Sequence, residues 1–496
     1  MIEFEISTYW NVETLYYVFN GVAAIMAGAG FAGLVKLLFV MGLTLGIFAY
    51  AGNRQLELAT WFIQALIFVT LLNLPIARVA ITDKTALEPP RVVDNVPFAL
   101  AAVAQVANTA SGWATQTYEG VFGVPDELGL AQGDLAYGHR ILKGVNRTVI
   151  RDPGLRADLM QFIKECTLYD IKDGVITVDQ VVGQTDTWNT LFSNTSPARF
   201  VTYNTLTPTP TTEPCTTAAN VLKTRVDNGL DAAQSFYGRQ AVTRATTDAL
   251  ASAMYASAVG TSYDWILSSS ASASDAMKQA MFNNIWREAG SELPALMSDP
   301  ARIQELQNLS GAAQAARQAD GSNATISMLA QETLPHMRNW LEAMIYALFP
   351  LVVVLMVVVP QEGAKKLIGG YMMTIVWIGL WPIMFAVINH LSLMHLRHKM
   401  ASLKLSSGVP FQLSDAFDAT LGSEQAAIGY MVVLVPFLSA AIIKMGQGGF
   451  MSVADKMVTG FSGVGASVGA GMASGNVSMG QAGIDTASVN TTSMHK

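Results

Sequence analysis

Charge and cysteine are scarce in this chain. Only 14% of its 496 residues are charged, and it holds two cysteines and six histidines. No lysine or arginine precedes Lys36, and Glu3, Glu5 and Glu13 are the only charges before it. A secretory signal peptide needs a basic n-region, so none is read here. The formal net charge is −7 with no dominant basic patch, so direct nucleic-acid binding is not expected. The two cysteines lack histidines at ligand spacing, which argues against zinc. The sequence also lacks a P-loop, a dinucleotide fingerprint and a chain of carboxylates through its apolar runs. A proton-driven transporter would usually show the last of these.

Long apolar runs stand where charge is missing. A helix needs about 20 mostly apolar residues to cross hydrocarbon. Residues 34–51, 59–76, 340–359, 370–393 and 427–443 each qualify as a span. Between the two clusters lies a long polar stretch. The fold class expected is mainly α: a polytopic helical membrane protein of about five spans with one large, mostly helical domain. Residues 1–33 read as an N-terminal amphipathic segment, 34–82 as a hairpin of spans one and two, and 83–338 as the domain. Residues 339–445 then hold spans three to five, and 446–496 a flexible tail rich in Gly, Ala and Ser. Residues 15–52 have Lys36 as their sole charge and could hold two helices turning at Gly28, Gly30 and Gly33. The preferred reading is one span after an interfacial helix over residues 12–26, with Trp10, Tyr16 and Tyr17 in the headgroup zone.

Orientation follows from lysine and arginine in short loops. The bare N-terminus favours the outside, and Arg54, Lys365 and Lys366 favour the cytoplasm for the loops after spans one and three. The domain then faces outward, into the periplasm of a Gram-negative host. Arg397, Lys399 and Lys404 disagree, since this topology puts the loop after span four outside. Cys166 and Cys215 both fall in the outward domain, where an even pair reads as a disulfide; the alternative is two unrelated buried thiols.

Along the domain, residues 79–97 alternate valine with polar groups and carry prolines, which suggests strand or loop. Helices are expected over 98–119, 133–149, 155–169, 218–258, 273–287 and 302–319, and a surface loop over 185–214. Pro75, Pro350, Pro382 and Pro436 read as helix interruptions of a packed bundle. Gly42 and Gly46 form a small-xxx-small pair suited to close helix packing.

Candidate chemistry is thin. Gly465-Ala466-Ser467-Val468-Gly469 fits the nucleophile-elbow pattern, but it lies in a Gly/Ala/Ser tract with His495 the sole later histidine. His390, His395 and His398 cluster at the end of span four without a nearby carboxylate in sequence, so interfacial polar residues outweigh a metal. Lys36 reads as snorkelling from a helix end ahead of an intramembrane functional charge. No catalytic residue, cofactor or metal is expected.

One ordered set of motifs resembles a known family. Arg91-Val92-Val93-Asp94-Asn95-Val96-Pro97 is similar to a stretch of the TraG N-terminal region of F-type conjugation systems. Two spans precede it. Glu165-Cys166 to Tyr169-Asp170, a second cysteine, and Leu334-Pro335 follow in the family's order. Trp381-Pro382 to Asn389 resembles a Trp-Gly-Pro stretch of that family, here without the glycine. Gly429-Tyr430 and Val435-Pro436-Phe437-Leu438 match its last span. The resemblance implies an inner-membrane scaffold of a conjugative type IV secretion system, serving pilus assembly and mating-pair formation. It implies partners among other inner-membrane and periplasmic subunits, membrane lipids and further copies of itself. Family members usually continue into a long C-terminal region tied to mating-pair stabilisation and to a recipient inner-membrane exclusion protein. Arg91, Asp94, Asn95, Val96 and Pro97 form the candidate interaction segment; its alternative is a structural turn. Two alternative functions are a stand-alone channel or transporter, for which Asn73, Asn389 and His390 are the available polar groups, and a membrane-bound hydrolase using Ser467.

Overall fold

The computed structural model describes residues 1–50, 72–85, 87–133, 135–204, 210–242, 245–290, 333–359, 361–403 and 408–444, with single positions at 63, 66, 70 and 405. The first residues alternate Ile2, Phe4 and Ile6 with Glu3 and Glu5, and form strand β1 (Ile2–Thr8). It pairs in parallel with β2 (Ala77–Asp83), which pairs antiparallel with β3 (Arg91–Val96), giving the order β1-β2-β3. The alternation buries Ile6, Val79, Ile81 and Val93 on one face. Helix α1 (Val12–Ala27) packs on β3, burying Val12, Leu15, Phe19, Val22 and Met26 at helical spacing. The interfacial helix expected here is therefore a helix whose apolar stripe faces protein. A 56° bend at Gly28 leads into α2 (Ala29–Tyr50), which holds the first expected span.

Pro97 ends the sheet and opens α3 (Phe98–Phe122), which stops at Gly123 in the left-handed region. A helical region follows: α4 (Tyr137–Asn146), α5 (Pro153–Phe162), a π-turn (Ile163–Thr167), α6 (Leu168–Lys172), α7 (Val178–Val182) and α8 (Thr187–Ser193). Asp152 caps α5 with Pro153 in its first turn, and Thr177 and Gln180 close a capping box on α7. The stretch expected as a surface loop instead holds α8 and an antiparallel hairpin, β4 (Phe200–Asn204) with β5 (Pro210–Pro214). Three longer helices complete the region: α9 (Cys215–Ala241), α10 (Asp248–Leu267) and α11 (Ala273–Gly290). The helix expected over residues 302–319 lies outside the described residues.

Helix α12 (Thr333–Ala347) meets α13 (Phe349–Val358) at a 42° bend, with Pro350 in the first turn of α13. Helices α14 (Gln361–Ala401) and α15 (Phe411–Lys444) contain Pro382 and Pro436 in their interiors. Pro75, by contrast, sits in irregular chain between a helical segment and β2. Among the described residues two helices, Gly363–Ala401 and Phe411–Ile443, are long and apolar enough to cross a membrane, or up to four if each bent pair is one span. Five spans were expected; most of the second, residues 59–76, lies outside the described residues.

At about 1.5 Å per residue, the 41 residues of α14 extend roughly 60 Å, about twice a hydrocarbon layer. Its far end supplies Leu393, Leu396 and Met400 to the core shared by α4, α5, α9, α10 and α11, and α15 adds Phe417 and Leu421. The connection expected as a loop after span four is thus the tip of a helical hairpin, seated in the domain. The middle of α14 supplies Ile378, Trp381 and Phe385 to a second core with the sheet, α1 and α3. Ser111 Oγ of α3 donates to Gly379 O at 2.6 Å, and Phe122 stacks on His390 at 4.2 Å. Both contacts hold one register, so α3 runs parallel to the apolar middle of α14 and covers one flank of it. Residues Met1–Val435 make one compact unit, and a second begins at Pro436, within α15.

Candidate functional site

The segment Arg91 to Pro97 is placed by the sheet. Ala77 pairs with Val96 and Val79 with Val93, so Arg78 alone faces both Asp94 and Asn95 in a β-bulge. Asn95 takes φ +59, a conformation asparagine tolerates better than most residues. Val96 is fully buried, and Pro97 turns the chain into α3. The exposed members make ion contacts: Asp94 with Arg78 at 3.3 Å, and Arg91 with Glu13 at 3.8 Å while lying over the Tyr16 ring. Most of this segment therefore builds the corner between sheet and helix.

Cys166 and Cys215 are joined in a disulfide, both fully buried. Cys166 sits in the π-turn and Cys215 opens α9, so the bond ties the α5–α6 region to the end of the β4–β5 hairpin. Beside it, Arg225 of α9 reaches buried Asp158 of α5 at 2.5 Å. Gly42 and Gly46 lie on α2, with Gly42 half-buried; the surroundings of Gly46 lie outside the described residues. Lys36 is exposed on the same helix, and Ser467 lies outside the described residues.

Two polar clusters were not read from sequence. The first is a buried knot at the start of α12. Arg338 Nη1 lies 2.8 Å from Glu342 Oε2, with both side chains nearly inaccessible. Asn339 Nδ2 donates to Tyr9 O at 2.8 Å, and Asn11 Nδ2 donates back to Asn339 O at 3.2 Å. Lys84, at the end of β2, lies over the Tyr9 ring at 5.0 Å. Burial holds the Lys84 amine below its ordinary range, and the nearby Arg338 charge pushes the same way. Burial raises the Glu119 carboxyl, partly offset by the Leu130 N–H that it accepts at 2.8 Å. The knot thus ties the β1–α1 corner, β2 and α12 together. Arg338 and Glu342 are one helical turn apart, which is the signal sequence offered.

The second cluster seats the hairpin tip. Arg287 of α11 pairs with Asp415 at 2.7 Å, and Arg147 with buried Asp418 at 3.3 Å. Lys143 donates to Gln425 at 2.8 Å, and Ser414 Oγ bonds Asn146 Oδ1 at 3.1 Å. Within the hairpin, Lys399 reaches Glu424 at 2.5 Å, with His395 at 3.5 Å from the same oxygen. Of the three clustered histidines, His390 stacks on Phe122 and His395 meets Glu424, while His398 is exposed. No group of three or more potential metal ligands is found among the described residues.

Trp381 is fully buried in the second core. Asn389 is buried as well; its Oδ1 accepts from Ala136 N at 3.2 Å and its Nδ2 donates to Leu128 O at 2.9 Å. Trp381 thus seats α14 in the core it shares with the sheet and α3, and Asn389 ties α14 to the chain at Leu128 and Ala136. No solved structure matches the chain. The chain is 24% identical over 484 residues to Protein TraG of Escherichia coli (strain K12), an alignment covering 95% of this chain and 48% of that protein. It therefore spans about half the length of this curated relative. Residues 5–465 match the family described as TraG-like protein, N-terminal region, and the chain belongs to that family.

Proposed function

We propose that the chain is a non-enzymatic scaffold of a conjugative type IV secretion system in the bacterial inner membrane, with its disulfide-bearing domain in the periplasm. The family match over residues 5–465 carries the reading. Its role is to support pilus assembly and mating-pair formation, with other inner-membrane and periplasmic subunits as partners. The chain aligns to 48% of the E. coli relative, and the role proposed for it is assembly and mating-pair formation alone.

Contacts within the first unit support the topology by parity. Parallel pairing of β1 with β2 requires an even number of membrane crossings between Thr8 and Ala77. Asn339 bonds to Tyr9 at the start of α12, and the α14 end shares a core with the disulfide region, so crossings between them are even too. The N-terminus, the domain and the hairpin tip then share one side. Arg397 and Lys399 on that side are offset locally, since Lys399 pairs with Glu424 and Arg397 lies over the Trp265 ring. A buried disulfide fits the oxidising periplasm.

The test is thiol and topology mapping in intact cells, paired with mating. A membrane-impermeant thiol reagent is applied before and after reduction, with reporters fused after Gly52, Ser322, Gly363 and Gly408. The reading expects thiol labelling only after reduction, Ser322 and Gly408 outside, and Gly52 and Gly363 inside. It also expects the gene to raise transfer from a donor deficient in its own copy. Ser322 in the cytoplasm overturns the topology, and unchanged transfer overturns the role.

A further inference from the structure

Among the described residues, the outer edge of β1 is filled only at Ser7. In the parallel β1–β2 ladder, Ile2 N donates to Ile76 O and Thr8 O accepts from Lys84 N, both near 3.0 Å. These bonds fix the phase of the strand: the even-numbered residues bond to β2, and the backbone groups of Glu3, Glu5 and Ser7 point to the free edge. Ser7 shows what that edge accepts. Its N–H donates to Asn108 Oδ1 at 2.9 Å, and its carbonyl accepts from Asn108 Nδ2. The carboxamide on α3 thus takes the place of a peptide group in a neighbouring strand. No hydrogen bond is made by the backbone groups of Glu3 or Glu5 among the described residues. The strand is exposed at Ile2, Glu3 and Glu5 and buried from Ile6, where α3 closes in.

The outer face of the sheet is acidic. Glu3, Glu5 and Asp94 stand on it with Arg78 as the cation between them, 3.5 Å from Glu3 and 3.3 Å from Asp94. A second copy of β1 laid antiparallel on this edge would set Glu3 and Glu5 against the same two acids, which like-charge pairing disfavours. A strand with basic residues at alternate positions removes that repulsion and completes the ladder.

We propose that the edge of β1 at Glu3–Glu5 is a docking site for an extended segment of a partner protein, bound by strand addition, with lysine or arginine at alternate positions facing Glu3 and Glu5. The site follows from the sheet alone and does not depend on the secretion reading. The test uses the full chain in detergent and a short fluorescent peptide alternating valine with lysine, read by anisotropy against its glutamate counterpart. The lysine peptide is expected to bind and the glutamate peptide not. Glu5→Pro removes an outward N–H without removing a bond to β2, and is expected to weaken binding at least about tenfold. The double change Glu3→Lys with Glu5→Lys tests the same edge by charge alone, and is expected to reverse the preference to the glutamate peptide. Equal binding of both peptides, no binding of either, or an unreversed preference in the lysine double variant overturns the proposal.

Discussion

His139 makes the domain sensitive to acid in a way that can be sized. It lies on α4, is fully buried, and neither ring nitrogen has a hydrogen-bond partner among the described residues. Burial pushes its imidazole down to about 3 from an ordinary value near 6.5. The folded chain therefore keeps this ring neutral while the unfolded chain protonates it below pH ~6.5. Stability from this group is intact above pH ~6.5 and falls as acid is added, by at most about 1.4 kcal/mol per pH unit, until the folded ring also titrates. At pH 5 the loss comes to about 2 kcal/mol, and it changes little if the folded value is a unit higher. Replacing His139 with phenylalanine keeps a ring in the space and removes the titration. Denaturant midpoints of the detergent-solubilised chain, followed by tryptophan fluorescence at pH 7.5 and pH 5, give the comparison. The wild type should lose about 2 kcal/mol more than His139→Phe between these pH values. Parallel losses in the two proteins would show that His139 is solvated or partnered, and the reasoning would fail.

Three further outcomes follow from the same structure. Cys166→Ala with Cys215→Ala opens a loop 49 residues long in sequence separation and should cost about 4 kcal/mol in the chain-entropy account, read as a lower denaturant midpoint that reductant no longer shifts. Glu342→Ala alone strands the buried Arg338 and should cost roughly 3–5 kcal/mol, whereas Arg338→Met with Glu342→Leu should recover most of that loss in thermal melts. A methyl at Gly238 would stand 2.9 Å from the Ala251 carbonyl oxygen, so Gly238→Ala should destabilise by about 1–3 kcal/mol. Gly229→Ala on the same helix meets nothing within 4 Å and should stabilise by up to about 1 kcal/mol; matched effects would refute the close approach of α9 and α10.

Local rules made much of the fold legible. The helical period of α3 and the apolar alternation of Val79 and Ile81 in β2 show because one face of each is buried, whereas the helix expected over residues 218–258 is two, α9 and α10. The helix expected over residues 155–169 begins two residues earlier, because Pro153 fits a first helical turn and Asp152 caps it. Strand β1 was missed although Ile2, Phe4 and Ile6 alternate with Glu3 and Glu5, because its partner lies about seventy residues away and pairing at that distance leaves no local mark. The β4–β5 hairpin was hidden by its threonines and prolines, which also compose loops. The clusters around Arg338 and Arg287 join residues far apart in the chain, and such meetings are set by tertiary packing.

The long hairpin shows why the polar groups near the membrane read better as joints than as a pathway. A channel lining needs side chains whose polar atoms face an open route. Asn389, one of the three polar groups named from sequence, spends both ends of its carboxamide on the backbone at Leu128 and Ala136. His390 stacks on Phe122, and Glu424 is held by Lys399. Each of these contacts fastens α14 or α15 to α3, to the turn before α4, or to its own hairpin partner. The hairpin tip is in turn locked into the domain by Arg287, Arg147 and Lys143. Moving the apolar part of α14 must therefore drag the disulfide-stapled domain with it. The polar atoms along these otherwise apolar helices are thus accounted for by the contacts that fix α14 and α15 in the first unit.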